Sequence, residues 1–335
     1  MVRVIVRRLL QMVITLMALS ALIFFWLRSL PGGPVEALLG ERATPESRAL
    51  LTKALGYDQP LWVQYGRFMQ RVLTGDFGTS LRSGDEVTDV IGRAFPATIE
   101  LSVAAMIIAV GLGVPLGYVA ARYRGRLLDN STIIATLVGI SVPIFFLGYL
   151  LKQWLTQYLH WFPPSGRLSP EMEATHVTNF FVLDGLLTRE FDASADALWH
   201  LILPAVTLAT IPLAVIVRIT RASVLEVLNE DYVRTAEAKG LRTQTIRGRH
   251  ILRNALLPVV TSIGLLTGSL LAGAVLTERV YNWGGLGSLI ADSITGSRDY
   301  PVLQALILLA ALVFVMVNLL VDLSYAVIDP RVRVR

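Results

Sequence analysis

Long apolar stretches alternate with charged ones along this chain. Six windows contain no Asp, Glu, Lys or Arg: Leu9–Leu27, Leu101–Ala121, Asn130–Leu151, Ala197–Val217, Asn254–Thr277 and Tyr300–Val321. Each is about as long as a helix needs to cross a bilayer, roughly 20 apolar residues for about 30 Å of hydrocarbon. The pattern therefore predicts six spanning helices. Spanning strands would be half that length and would alternate, which these windows do not. The first window has the basic flank of a secretory signal peptide, Arg3, Arg7 and Arg8. Its apolar core is longer than such a peptide uses, and Trp26-Leu27-Arg28 is not a small-residue cleavage site. A retained first helix is expected.

The polar stretches carry their own signals. In the segment from Arg28 to Glu100, Thr44-Pro45-Glu46 reads as an N-cap, a proline at the first helical position and an acid in the first turn, with Gly56 as the stop. Gln59 to Leu73 sets Leu61, Tyr65, Phe68 and Val72 on one helical face, with Gly75 following. That segment is expected to be folded. The segment Lys152 to Asp196 is less regular and holds six acids, Glu171, Glu173, Asp184, Glu190, Asp192 and Asp196. They read either as a solvated loop or as a docking surface for a cationic partner. Pro115, Pro143, Pro204 and Pro212 fall inside apolar windows, where proline kinks helices. Gly264, Gly268 and Ala272 recur every four residues, as do Gly113 and Gly117. Such spacing lets helices approach closely, within the chain or against a partner subunit. The organisation expected is residues 1–96 as a first spanning helix with a folded loop, then 97–335 as a five-helix core with a polar loop at 218–253.

Composition agrees with a membrane protein. Of 335 residues, 54% are hydrophobic and 16% charged, against about 25% charged in soluble domains. Mean hydropathy is +0.59. With the N-terminus inside, the inner segments are 1–8, 122–129, 218–253 and 322–335. They hold more than half of the chain's Lys and Arg, yet together are less than half as long as the outer segments 28–100, 152–196 and 278–299. The short run Arg122-Tyr123-Arg124-Gly125-Arg126 weighs most. Both termini are then cytoplasmic. The net charge of +5 suits anionic membrane lipid and needs no nucleic acid.

Several chemistries are absent from the sequence. There is no Cys, so disulfides and thiolate sites are excluded. His160, His176, His200 and His250 stand too far apart in sequence to form a helical ligand pair, and no metal site is expected. No Gly-x-x-x-x-Gly-Lys-Ser/Thr occurs, so the usual phosphate cradle for ATP is missing. No Asp, Glu, Lys or Arg lies within the six windows, although ion-coupled pumps usually need ionisable groups there. No cluster resembles a catalytic constellation, and no catalytic residue is assigned.

The stretch Glu230 to Pro258, EDYVRTAEAKGLRTQTIRGRHILRNALLP, stands out. Arg221 to Lys239 has helical spacing, interrupted at Asn229-Glu230-Asp231, which can cap a fresh start. Gly240 is a natural stop after Lys239. Thr235, Ala236 and Ala238 keep the helix surface small, suited to seating in a groove of another protein.

The run TAEAKGL followed by RHILRNALLP resembles the coupling loop of binding-protein-dependent ABC importer permeases. It departs from the general Glu-Ala-Ala pattern. The stretch from Gly240 to Pro258 is longer, and Ala255-Leu256-Leu257-Pro258 replaces Ile-x-Leu-Pro. In those departures it resembles the dipeptide/oligopeptide/nickel branch, closest to dipeptide-permease B-type members. Leu30-Pro31-Gly32-Gly33-Pro34, Gly75 to Ser80 (GDFGTS), Glu278 to Gly287 (ERVYNWGGLG) and Asp322 to Arg331 (DLSYAVIDPR) agree, so the likeness covers nearly the whole chain. The resemblance implies an all-α, multi-pass protein of a prokaryotic cytoplasmic membrane with the type I ABC importer transmembrane architecture. It implies a permease subunit moving short peptides inward, not itself an enzyme and holding no cofactor. Partners implied are a second homologous permease subunit, one or two cytoplasmic ATPase subunits carrying ATP and Mg, and an extracytoplasmic peptide-binding protein. The ATPase contact would involve Glu230, Asp231, Tyr232, Arg234, Thr235, Ala236, Glu237, Ala238, Lys239 and Gly240. Import of nickel or another small solute, an ATP-independent secondary transporter, and a scaffold docking a soluble enzyme remain alternatives.

Overall fold

The computed structural model describes residues 2–29, 35, 39, 44–295 and 299–328, with side chains described from residue 6 to 320 apart from 271–273. The run from Leu30 to Pro34 and the chain end beyond Ile328 lie outside the description. Helix α1 (Val2–Ser29) is followed by α2 (Pro45–Ala54) and α3 (Leu61–Thr74). The α2 start is a capping box: Thr44 Oγ1 accepts from the Ser47 amide and Ser47 Oγ from the Thr44 amide. Gly56 and Gly75 take positive φ after the two helices, as the sequence predicts. Phe68 is buried against Ile23, Phe24 and Leu27 of α1, with Tyr65 and Val72 alongside. Leu61 lies off that face and is half exposed. The Arg28 guanidinium stacks 3.5 Å over Phe24 and its Nε donates to Gln64. The first polar segment is thus packed onto membrane helices.

The centre of the fold is the pair α4 (Val87–Arg122) and α8 (Phe191–Leu228). On α4 every fourth residue from Ala97 is buried: Ala97, Leu101, Ala105, Ala109, Gly113, Gly117 and Ala121. This stripe faces Leu201, Ala205, Leu208, Ala209 and Ile216 of α8. A Cβ on Gly117 would lie 2.6 Å from the Val217 carbonyl oxygen, and one on Gly113 2.8 Å from Ile216. The two glycines let the backbones touch. The 96/97 division suggested by sequence falls inside α4, one unbroken helix through Pro96 and Pro115.

The third window departs from expectation. Instead of one helix it forms α5 (Leu127–Ser141) and α6 (Ile144–Leu151), the latter continuing as a π-helical turn, Lys152–Tyr158. The two arms are bent by 103°. Val142 is extended at φ −84° and ψ 124°, as a residue before proline prefers, and Pro143 opens α6. Pro204 and Pro212 are carried inside α8. Among the described residues five helices are long and apolar enough to span, six if the bent pair counts as one.

Between the arms and α8 lies α7 (Phe181–Leu187). Three of the acids here are staples rather than free charges. Asp184 accepts from the Thr178 amide and hydroxyl, Glu190 from those of Thr175, and Asp196 from those of Ser169. Arg167 pairs with Glu100 of α4 at 2.8 Å. Glu171, Glu173 and Asp192 are exposed.

After α9 (Asp231–Ala238) a π-helical turn, Ile246–Leu252, runs into α10 (Arg253–Gly273). The fifth window is split at Ala274, after which α11 (Val275–Tyr281) begins, and α12 (Leu286–Thr295) and α13 (Tyr300–Ile328) are the last described elements. Gly268 faces Phe314 and Val317 of α13 and Gly264 is buried; Ala272 lies outside the residues whose side chains are described. The ERVYNWGGLG run is a clasp. Glu278 has no exposed surface, accepts from Thr98 Oγ1 at 2.6 Å, and caps the start of α12 through the Ser288 amide at 3.0 Å. Trp283 Nε1 donates to the Ala97 carbonyl. Among the described residues no strand forms, only an isolated bridge between Thr79 and Glu86.

Candidate coupling site

Helix α8 ends at Leu228 and Asn229 caps it, donating to the Leu225 carbonyl. The chain turns at Glu230, extended at φ −73° and ψ 141°, and α9 starts afresh at Asp231. The expected interruption is therefore real, one residue before Tyr232. At the other end the Gly240 amide donates to the Glu237 carbonyl and the Leu241 amide to that of Ala236. Those two bonds make a Schellman stop, which requires the left-handed conformation at Gly240, found at φ +71°.

Two residues fix α9 to the body. Val233 and Ala236, one turn apart, are buried with Ala121 of α4, Val224 of α8, Ile246, Ile251 and Ala255. A short, polar helix would not hold in isolation; this packing supplies what its length does not. Tyr232 adds a tether, its hydroxyl accepting from Asn254 Nδ2 at 2.9 Å. The remaining residues, Glu230, Asp231, Arg234, Thr235, Glu237, Ala238, Lys239 and Gly240, are exposed along with Tyr232. Ala236 thus differs from the sequence expectation. It faces inward, because a helix anchored at Val233 turns its third residue onward to the same side. The outward small surface is Thr235, Ala238 and Gly240. The Asp231–Arg234 pair at 3.6 Å is solvent-exposed and contributes little.

A second staple beside this surface was not legible in sequence. Asp129, almost fully buried, accepts from Arg221 Nε at 2.6 Å and Nη2 at 2.9 Å, and from the Gly125 amide at 2.8 Å. It ties the Arg122–Arg126 turn to the end of α8, the helix that leads into α9. The one available signal was a lone acid inside the most basic short loop.

Among the described residues no group of His, Asp and Glu is placed to hold a metal. What α9 offers is a helix anchored at Val233 and Ala236 whose exposed side sets the small Thr235, Ala238 and Gly240 among charged residues of both signs.

Comparison with known proteins gives this geometry a context. Residues 113–334 match the family model described as binding-protein-dependent transport system inner membrane component. Residues 1–102 match the corresponding N-terminal model. The chain is 44% identical to the dipeptide transport system permease protein DppB of Escherichia coli, over 99% of each chain. It is equally 44% identical to the dipeptide transport system permease protein DppB of Alkalihalophilus pseudofirmus, over 98% of each. It is 45% identical to the di/tripeptide transport system permease protein DppB of Pseudomonas aeruginosa, over 99% of each.

Proposed function

The chain belongs to the family of binding-protein-dependent transport system inner membrane components, and on that premise we propose that it is the peptide-permease subunit of an ATP-driven importer. The relatives named for dipeptide and tripeptide transport are similar along their whole length, which supports short peptides as the cargo. A second permease subunit would complete the path, cytoplasmic ATPase subunits would bind ATP and Mg, and an extracytoplasmic binding protein would deliver the peptide. The bias of Lys and Arg supports a cytoplasmic location for α9 and both termini.

One observation carries the mechanism. The α9 helix has only two inward anchors, Val233 and Ala236, and presents Thr235, Ala238 and Gly240 outward without large side chains. A closing ATPase pair can seat that face in a cleft and push. Its base sits at the joined ends of α4, α8 and α10, so a displacement of α9 is passed to three spanning helices. The sequence has no phosphate loop, so the hydrolysis itself belongs to a partner. The test is gentle purification of the tagged chain and identification of its companions by mass. An ATPase with a phosphate loop and a second six-helix chain are expected. Ala238→Glu should leave membrane insertion intact and cut peptide uptake at least ten-fold. Isolation of the chain alone, or normal uptake by the variant, would count decisively against the reading.

A further inference from the structure

At the other end of α4 from α9, Arg93 and Ala94 border a cavity of about 340 Å³. From Arg93 to Ala121 the helix rises about 40 Å, so the cavity and the coupling site lie at opposite ends of the molecule. The cavity is lined by Arg82, Asp85, Arg93, Asp292, Ser293 and Asp299 among others. These come from the turn before α4, from α4, from α12 and from the residue before α13.

Two features distinguish it from an ordinary surface dent. The first is Asp299, only 3% exposed. Its Oδ2 accepts from Ser80 Oγ at 2.6 Å and from the Arg82 amide at 3.4 Å, and its Oδ1 from the Val302 amide at 3.5 Å in the first turn of α13. Among the described residues no Lys or Arg comes within ion-pair distance of it. Hydrogen bonds alone meet its charge, and an ammonium group entering the cavity would add the cation they do not supply. The second is the slackness of the arginine contacts. Arg93 meets Asp85 at 3.4 Å, Arg82 meets Asp292 at 3.9 Å, and Arg279 meets the same Asp292 at 3.4 Å. All are solvent-exposed and none is bidentate, so little is lost when a guanidinium turns to a better acceptor. A free carboxylate offers the paired geometry that arginine binds best.

We propose that this cavity is a landing site for a small zwitterion, the free termini of a short peptide, with its ammonium against Asp299 and its carboxylate against Arg93 and Arg82. The volume lies at the lower end of small-molecule sites, about 300–1,000 Å³. The assignment rests on the import reading for its choice of ligand. It adds that this chain itself selects for both free termini, before any step driven from α9.

The test is direct binding. The chain, purified with its membrane and ATPase companions and free of soluble binding protein, is titrated with radiolabelled dialanine. N-acetyl-dialanine amide, which lacks both charges, serves as competitor. Saturable dialanine binding that the amide does not displace is expected. Arg93→Gln and Arg82→Gln should each weaken it about ten-fold, the loss of one hydrogen bond to a charged group. Both side chains are about two-thirds exposed, so neither change disturbs folding. Asp299→Asn should weaken binding as well, read beside a thermal-unfolding check. Absence of saturable binding, equal displacement by the amide, or unchanged affinity in both arginine variants would overturn the site; the last outcome would assign these arginines to a docked partner protein. ATP-driven uptake is scored in the same preparation with binding protein added back. Uptake absent with charge-dependent binding present sinks the importer reading and leaves the site; uptake present with no such binding does the reverse.

Discussion

Gly240 holds a conformation that other residues take at a cost, and nothing lies within 4 Å of the place a Cβ would occupy. Gly240→Ala therefore introduces backbone strain without a clash, about 1 kcal/mol. That strain acts on the Schellman stop of α9, not on the buried core. Membrane insertion is expected to be normal, while uptake per ATP hydrolysed falls. An unchanged ratio of transport to hydrolysis would show that the helix end is not part of the coupling. Glu278 gives a second residue-scale outcome. Burial pushes its carboxyl above the ordinary glutamate value, against the hydrogen bonds from Thr98 and the Ser288 amide. A group whose folded pKa is raised stabilises the fold fully below its unfolded pKa and loses that contribution as pH rises through the folded value. Stability measured by thermal unfolding in detergent should thus decline upward from about pH 4.3, the unperturbed glutamate value. In Glu278→Gln the decline should be shallower; parallel pH profiles for the two proteins would refute the assignment.

At the scale of elements the α4–α8 seam decides whether the molecule assembles. Seven buried residues at four-residue spacing on α4 meet α8, and two of them leave no space for any side chain. Gly117→Leu should cost on the order of 3 kcal/mol by overpacking and lower the yield of folded protein sharply. Gly111 lies on the same helix with open space around it, so Gly111→Leu should be tolerated. Equal thermal stability of the two variants would remove the seam from its central role. Much of this element-level picture was legible in sequence. Caps, glycine stops and apolar windows act over a few residues, so Thr44, Gly56, Gly75, Asn229 and Gly240 announce their roles locally. The seam itself was half seen, because alanine every fourth residue looks like ordinary helix composition until Gly113 and Gly117 are read with it. The break at Pro143 was not separable from the prolines that helices carry, since neighbouring packing determines which proline ends a helix. Ala236 was placed outward for the same reason: only tertiary contacts show which side of α9 is held.

At the scale of the whole molecule, the structure joins residues that sequence keeps far apart. Thr98 and Glu278 are separated by 180 positions, Ser80 and Asp299 by 219, Asp129 and Arg221 by 92. Apart from Asp129, the lone acid of a short basic loop, none carries a local signal, and each pair fixes one end of the bundle. The first two lie towards the N-terminal end of α4 and the third at its C-terminal end. The molecule thus has two stapled ends and an apolar middle, and the direction it faces in the membrane determines which end meets ATP. Basic residues argue that the α9 end is inside, because the shorter total length of chain on that side holds more than half of the Lys and Arg. The absence of cysteine makes this directly measurable, because any thiol introduced is the only one. Ala238→Cys on α9 and Glu173→Cys before α7 both place the thiol at an exposed position. In intact cells a membrane-impermeant maleimide should label the residue 173 variant and spare the residue 238 variant until the membrane is opened. The reverse pattern would put α9 outside, away from any ATPase, and the coupling mechanism would fail with it even though the fold and the family would stand.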